Sequence, residues 1–297
     1  MTVKTEQETP VTGALSAYEH APTEIINVAG VKFAYRQLGP SGGVPVVFLT
    51  HLAAVLDNWD PRVVDGIAAK HRVIAFDNRG VGASTRSTPT TIEEMAKDAV
   101  TFIRALGLER VDLFGFSLGG MIAKVVAQQE PGLVRKMILA GTGPAGGEGI
   151  DKVTRITYLD TARGLLTRQD PKQYLFFTRT PNGRRAGKAF LARLEERTND
   201  RDKAISIRSF RAQLKAIHRW GQQTPADLAS IHQPVLAING DSDKMVPSKN
   251  TVDLDRRLLN SQLVLYPDAG HGGVFQFHED FVKRALAFLS ESSRTRS

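Results

Sequence analysis

A serine that follows one glycine by two positions and precedes another by two is the clearest candidate for chemistry in this sequence. Gly115, Ser117 and Gly119 form a G-x-S-x-G pattern that follows the apolar run Val111–Phe114. A helical pattern comes directly after it. A strand that turns sharply into a helix at the serine needs residues without side chains at the two glycine positions. The pattern predicts Ser117 as a nucleophile above a sheet, with the backbone N–H of Leu118 at the helix start available to an oxyanion.

A serine hydroxyl is a poor nucleophile until a neighbouring base takes its proton. Among the seven histidines, His271 has the most suitable setting. It follows the apolar strand pattern Leu263–Tyr266 and lies in a loop between Gly270 and Gly272, which leaves the ring free to reach the site. We therefore predict His271 as the base.

A carboxylate is expected to orient that base, and two candidates follow the apolar run Val235–Asn239. Asp241 and Asp243 lie in the same loop. Either carboxylate could instead cap the loop. We favour Asp243 because the chain then leads through Val246 and Pro247 into a new helix.

The elements that must position these residues are short apolar runs that alternate with helical patterns. Continuous apolar runs of this length are typical of strands covered on both faces of a parallel sheet. The helical pattern Thr91–Leu106 opens with a capping pair, Thr91 and Glu94, and stops at Gly107. The alternation predicts an α/β fold with a doubly wound, mostly parallel sheet. The further strand candidates are Val31–Leu38, Val44–Thr50, Val73–Phe76 and Lys136–Ala140.

The alternation is interrupted once, which suggests an insertion. Residues 145–224 are Arg-rich and helical in pattern, and we predict that they form a cap between two sheet strands, with 24–144 and 225–297 as the core. Residues 1–23 are expected to be a polar, mobile tail.

The positive charge of the chain is concentrated in one segment. Residues 151–222 contain 17 Lys and Arg and 7 Asp and Glu, an excess of positive charge larger than the net charge of +8 of the whole chain. We interpret this excess mainly as solvated helix faces; the alternative is a field that steers anionic substrates.

Composition excludes several other classes. The chain has no cysteine, so thiolate, disulfide and Cys-ligated zinc chemistry are absent. No run approaches the roughly 20 apolar residues of a membrane span, and residues 1–23 lack the apolar segment of a secretory signal. We expect a cytoplasmic protein with a small-molecule substrate, no metal or organic cofactor, and no nucleic-acid or membrane partner. The oligomeric state is left open.

The sequence resembles the α/β-hydrolase superfamily over about residues 24–290. The Ser117 motif, the Gly240–Pro247 loop and the Asp268–Gly273 loop carry the resemblance, together with their order Ser, Asp, His. Phe76–Ser84 is similar to the D-x-R-G-x-G-x-S loop of this superfamily. The resemblance implies structural roles for Asp77 and Arg79 in that loop.

The superfamily often has His-Gly-x after its third strand, where this chain has His51, Leu52 and Ala53. The resemblance places the oxyanion donors at the backbone N–H groups of Ala53 and Leu118, with His51 fixing the loop. Residues 56–61 are similar to the same region of enol-lactonases and of cofactor-free haloperoxidases and perhydrolases.

The resemblance implies hydrolysis of a small carboxylic ester or lactone through a Ser117, His271 and Asp243 triad and an acyl-enzyme. One alternative is a perhydrolase or haloperoxidase, or a carbon–carbon bond hydrolase, with the same triad. Another is a ligand-binding protein without catalysis on this fold. Five aromatic residues of the cap are expected either to line a pocket or to form plain core: Tyr158, Phe176, Phe177, Phe210 and Trp220.

Overall fold

The apolar runs of the sequence form one sheet of eight strands. The structure is a computed structural model and describes residues 17–291. The strands are β1 (Glu24–Val28), β2 (Val31–Leu38), β3 (Val46–Leu49), β4 (Val73–Phe76), β5 (Val111–Phe116), β6 (Val134–Ala140), β7 (Val235–Gly240) and β8 (Ser261–Tyr266). Their order in the sheet is β1-β2-β4-β3-β5-β6-β7-β8; the pairs β1–β2 and β2–β4 are antiparallel, and all the others are parallel. The expected α/β class, with a mostly parallel sheet, is confirmed.

Helices cover both faces of this sheet. The helices are α1 (Pro61–Ala68), α2 (Ile92–Ala105), α3 (Leu118–Gln129), α4 (Val153–Thr167), α5 (Lys172–Leu175), α6 (Pro181–Leu194), α7 (Ile207–Gln222), α8 (Lys249–Arg257), α9 (Gly273–Gln276) and α10 (His278–Ser290). One apolar layer contains buried residues of α2, α3 and α8, and the other contains buried residues of α1 and α10. The predicted N-terminal cap of α2 is present, since the Thr91 hydroxyl accepts a hydrogen bond from the N–H of Glu94 at 3.3 Å.

The segment between β6 and β7 carries the four helices α4 to α7 and includes residues 145–224. Buried ion pairs attach it to the core. Arg36 of β2 is fully buried and bonds Asp57 at 2.7 Å and, from the inserted segment, Asp202 at 3.2 Å. Arg193 of α6 bonds Asp60 at 2.6 Å. Because an unpaired buried charge is costly, these contacts fix where the cap lies on the core.

The start of the chain differs in part from the expected mobile tail. Residues 1–16 lie outside the described residues. Tyr18 is buried, its hydroxyl donates to the carbonyl of Leu56 at 2.8 Å, and its N–H donates to Asp65 at 2.7 Å. Because of these contacts, the segment that begins at residue 17 belongs to the packed structure. The polar composition of residues 1–23 gave no sign of this buried tyrosine. Within residues 17–291, no helix has the length and apolar character needed to cross a membrane.

Candidate active site

Ser117 lies at the sharp turn between β5 and α3. Its backbone has φ 55° and ψ −113°, a conformation that is costly for a residue with a side chain. The neighbouring glycines explain how the turn is accommodated. A Cβ at Gly115 would lie 2.5 Å from the carbonyl oxygen of Gly119, and a Cβ at Gly119 would overlap the carbonyl of Leu49. The strand and the helix can therefore approach closely only with glycine at both positions.

The start of α3 presents a backbone donor beside Ser117. Leu118 is the first residue of the helix, and its N–H has no acceptor among residues 17–291. A free N–H at a helix start, together with the helix dipole, favours negative charge nearby. This N–H is the donor that the sequence places at the oxyanion.

His271 and Asp243 come together at the carboxyl ends of β7 and β8. The distance from His271 Nδ1 to Asp243 Oδ2 is 2.7 Å, and both side chains are almost fully buried. The other carboxylate oxygen, Oδ1, accepts the N–H groups of Met245 and Val246 at 2.8 and 3.0 Å. Asp241 is exposed and bonds the neighbouring Ser242 hydroxyl. Of the two carboxylates left open by the sequence, the structure brings Asp243 to the histidine.

This contact defines which nitrogen of His271 is available. Since a carboxylate faces Nδ1, that nitrogen donates to it, and Nε2 is the nitrogen left for another partner. His271 and Ser117 line the same cavity, and the Ser117 hydroxyl has no hydrogen-bond partner among the described residues. Catalytic hydrogen bonds are often long in free enzymes and tighten when substrate binds.

The glycines around His271 serve a purpose that the sequence did not reveal. Phe176 of the cap packs against the imidazole with ring centroids 5.5 Å apart, and its carbonyl accepts the N–H of Gly272 at 2.7 Å. A Cβ at Gly270 would lie 2.7 Å from the same carbonyl oxygen. Glycine is therefore needed because the cap backbone approaches this loop closely. The ring of Phe116, 5.0 Å away, contacts the imidazole as well.

His51 fixes the loop after β3, as the resemblance implied. Its Nδ1 bonds the carbonyl of Leu52 at 2.9 Å, and the N–H of Ala54 reaches back to the carbonyl of His51 at 3.3 Å. Burial lowers the pKa of His51 to about 3, so the ring is neutral. Ala53 takes a positive φ of 63° in this turn. An alanine thus adopts the left-handed conformation for which glycine is better suited.

The Ala53 N–H does not stand free at the site. It donates to Oε1 of Gln213, on the cap helix α7, at 2.8 Å. Gln213 is fully buried, and its Nε2 has no partner among residues 17–291. Sequence reasoning missed this residue because a single glutamine on an amphipathic helix carries no local signal.

Ser117, His271 and Ala53 line a cavity of about 230 Å³ between the sheet and the cap. Of the five cap aromatics, Phe176 and Phe210 line it, whereas Phe177 and Trp220 are buried elsewhere and Tyr158 is 47% exposed. The remaining apolar lining includes Leu52, Met121, Val153, Leu175, Ile217, Met245 and Val246. Thr157, Thr161, Asp170 and Lys172 add polar groups from the cap side. Across residues 17–291, no three His, Asp or Glu side chains converge as a metal site.

Asp77 and Arg79 make the structural contacts expected of them. Asp77 is fully buried and accepts the N–H of Leu56 at 3.0 Å, and burial raises its pKa. A Cβ at Gly82 would overlap its carboxylate. Arg79 pairs with Asp98 at 2.7 Å. These contacts attach the loop after β4 to the residues that precede α1 and to helix α2.

Comparison with known proteins identifies the family to which this fold belongs. Residues 44–277 match the model of the alpha/beta hydrolase fold family. The chain belongs to this family. An alpha/beta hydrolase fold protein from Chitinophaga pinensis is 38% identical and superposes with a TM-score of 0.88, over 93% of this chain and all of that one.

Two further relatives carry names that describe an activity. The human serine hydrolase BPHL is 27% identical over 94% of this chain and 91% of its own length. The enol-lactonase from Burkholderia xenovorans LB400 has a TM-score of 0.70 at 19% identity, over 90% of this chain and 100% of that one. At that identity the second likeness shows the fold alone.

Proposed function

We propose that this alpha/beta hydrolase cleaves a small carboxylic ester or lactone through an acyl-enzyme. The observation that carries the proposal is the 2.7 Å contact between His271 Nδ1 and Asp243, together with a strained Ser117 that lines the same cavity as His271. An imidazole with its far nitrogen free, in one cavity with an unbonded serine hydroxyl, is the arrangement from which acyl transfer can start.

In the proposed reaction, the side chains of Ser117, His271 and Asp243 each perform a defined step. Ser117 attacks the carbonyl carbon while His271 Nε2 takes the hydroxyl proton, and Asp243 stabilises the resulting imidazolium. His271 returns that proton to the leaving alkoxide, which departs as an alcohol and leaves an acyl-serine. Water, deprotonated by His271, attacks the acyl carbon, and the proton then returns to Ser117 as the acid leaves.

The developing oxyanion is proposed to lie between Leu118 and the loop at Ala53. The free N–H of Leu118 would donate to it from the helix start. The second donor belongs to the Ala53 side, where the backbone N–H and Gln213 are bonded to each other. Preorganised donors of this kind contribute most of the rate in many acyl transfers.

The cavity favours a small, largely apolar substrate. Its volume of about 230 Å³ lies below the range of roughly 300–1,000 Å³ typical of drug-sized ligands. Lys172 is a cation in the wall, but its ammonium pairs with Asp170 at 3.2 Å. Since this pairing offsets the local charge, the cavity supports a neutral ester or lactone rather than an anionic substrate.

The haloperoxidase and perhydrolase alternative rests partly on residues 56–61. In this chain Asp57 accepts the N–H of Asp202 at 2.7 Å and Asp60 pairs with Arg193, so both carboxylates serve to attach the cap. The likeness of this segment therefore does not favour peroxide chemistry over hydrolysis. Production of peracid from acetate and hydrogen peroxide, measured beside ester hydrolysis, distinguishes the two reactions.

The test compares Ser117→Ala with Ser242→Ala on short p-nitrophenyl esters and γ-lactones. Ser242 is exposed and lies in the loop of Asp243, so its variant controls for a serine lost near the site. We expect hydrolysis to disappear in the first variant and to remain in the second. Full turnover by a folded Ser117→Ala protein would contradict the proposal.

A further inference from the structure

The side of the cap that faces away from the sheet carries large apolar side chains that remain exposed. We call them the outer cap face; they are Tyr158, Leu159, Leu165 and Leu166 of α4 and Ile207 of α7. Leu166 is 86% exposed and Leu165 is 76% exposed. Single exposed leucines are ordinary in proteins, whereas a cluster of large apolar side chains marks a contact surface for another molecule or for a membrane.

Helix α4 presents these side chains on the side opposite to the cavity. Tyr158 and Leu165 are seven positions apart, as are Leu159 and Leu166, so each pair lies along one side of the helix. The outward side of a surface helix is usually polar, and here it is apolar. The residues of α4 that line the cavity occupy the other side; they are Val153, Thr157 and Thr161.

Helix α7 extends the same surface. Tyr158 packs against Phe210 of α7 with ring centroids 6.1 Å apart. Ile207 lies four and seven positions before Arg211 and Leu214, so these three residues share one face of α7. Arg211, Leu214 and Tyr158 line the groove between the two helices, which places Ile207 beside the apolar side chains of α4.

Cations surround the outer cap face. Arg155 and Arg168 lie near the two ends of α4, and Arg208, Arg211 and Lys215 lie on α7. All five are exposed, and none forms an ion pair within residues 17–291.

The carboxylates of the inserted segment do not neutralise these cations. Of the seven Asp and Glu in residues 151–222, only Asp151 forms no ion pair within residues 17–291. The others are bonded to other Arg or Lys side chains; they are Asp160, Asp170, Glu195, Glu196, Asp200 and Asp202. The positive charge of the segment therefore remains available to an anionic surface outside the molecule.

We propose that the outer cap face docks on an anionic membrane surface. Its leucines enter the headgroup region, and the surrounding arginines and lysine lie over the lipid phosphates. Apolar side chains that project from a helix between cations are typical of helices that lie in the membrane interface. A second copy of this chain is a poorer partner, because a two-fold contact would place two positively charged faces against each other.

This contact is peripheral. The sequence led us to expect no membrane partner because no segment is long and apolar enough to span a bilayer, and docking of one helix face needs no such segment.

The outer cap face adjoins the opening of the cavity. Asp170 and Pro171 line the cavity and follow Leu166 by four and five positions. Since Asp170 is exposed, the cavity reaches the surface at this point. A docked protein would therefore open its cavity next to the membrane, where an apolar ester or lactone dissolves. This consequence, unlike the docking itself, rests on the function proposed above.

The test measures co-sedimentation of the protein with vesicles of phosphatidylcholine and phosphatidylserine, and with vesicles of phosphatidylcholine alone. Leu166→Gln and Arg211→Gln each remove one part of the surface. Their matched controls lie at the amino ends of the strands, away from the cap. Leu259→Gln removes a leucine that is 63% exposed before β8, and Arg110→Gln removes an exposed, unpaired cation before β5.

We expect the wild type to bind the vesicles that contain phosphatidylserine, and to bind less as salt is raised. Leu166→Gln should weaken this binding at least about tenfold, because a leucine is no longer buried in the interface. Arg211→Gln should weaken it about fivefold, the effect of one cation near an anionic surface. Both controls should bind as the wild type does. Melting temperatures should be equal, since all four side chains are exposed.

Several results would overturn the proposal. The wild type might sediment with neither kind of vesicle, or equally well with both. Wild-type binding by Leu166→Gln would show that the leucines do not enter the membrane, and equal losses in the controls would show that the binding surface is not the cap. A wild-type dimer in gel filtration that Leu166→Gln converts to a monomer would assign the surface to a second copy of the chain.

Hydrolysis of a soluble p-nitrophenyl ester, measured on the same samples, separates this proposal from the proposed function. Vesicle binding without hydrolysis would support docking and remove the ester reaction. Hydrolysis without vesicle binding would remove docking alone.

Discussion

Replacing Asp243 with Asn tests how the base is oriented. In the wild type, Oδ1 accepts two backbone N–H groups and Oδ2 faces His271 Nδ1 at 2.7 Å. Asn retains Oδ1 for the backbone and places an NH₂ group against the imidazole. Because two N–H groups cannot face each other, the ring must take the tautomer with its proton on Nε2. That nitrogen can then no longer accept the proton of Ser117.

The structure allows the effects on rate and on stability to be separated. The wrong tautomer should lower kcat by about 10⁴-fold, which corresponds to roughly 5.5 kcal/mol in the barrier. Stability should fall less, by about 1 kcal/mol, because a hydrogen bond to a charged group is replaced by a neutral one from the Asn amide to Nδ1. KM should change little, since neither carboxylate oxygen borders the substrate in the proposed mechanism.

The assay is steady-state hydrolysis of the best ester, with urea unfolding to measure stability. Asp241→Asn is the matched control: its carboxylate is exposed and two residues away, and the variant should keep wild-type kcat. A folded Asp243→Asn enzyme within tenfold of the wild-type kcat would refute the reasoning. So would a large loss in Asp241→Asn, which would identify the other carboxylate as the partner of His271.

Three further predictions concern the framework of the site. Gly119→Ala should lower the free energy of unfolding by at least about 1–3 kcal/mol, because the added Cβ would overlap a backbone carbonyl. Gly132→Ala is the control, since its Cβ would meet nothing within 4 Å and should leave the free energy of unfolding unchanged. Equal values for the two variants in urea titrations would contradict this. Arg36→Met should cost about 3–5 kcal/mol by the same measurement, because it removes the cation nearest to two buried carboxylates, Asp57 and Asp202; a loss below about 1 kcal/mol would show that these pairs contribute little. Burial lowers the pKa of Lys124 from 10.5 to about 7, so the unfolded chain binds more protons between these values and wild-type stability should rise with pH there. Lys124→Met should remove that rise, and a difference between variant and wild type that is equal at pH 7 and pH 9 would exclude the effect.

The parts of the site that sequence predicts are those with local causes. The turn at Ser117 needs glycine on both sides, and this requirement is visible within five residues. The strand Val73–Phe76 has the predicted bounds, because a continuous apolar run between polar loops leaves few alternatives. The doubly wound sheet follows from the alternation of such runs with helical patterns, and it is confirmed.

The parts that sequence misses depend on contacts between distant segments. Asp241 and Asp243 differ little in the sequence, and only the position of β8 beside β7 brings the second to His271. Gln213 lies 160 residues from Ala53, and no local pattern records their hydrogen bond. Tyr18 is likewise anchored by the distant Leu56, in a segment whose composition indicates a tail.

The central claim is that Ser117 is the nucleophile, and covalent labelling tests it most directly. The wild-type protein, treated with a fluorophosphonate and analysed by peptide mass spectrometry, should carry one phosphonyl group on Ser117. Ester hydrolysis should fall in proportion to the labelled fraction, and Ser117→Ala should take up no label. An adduct on another residue, or full hydrolysis by fully labelled protein, would contradict the account.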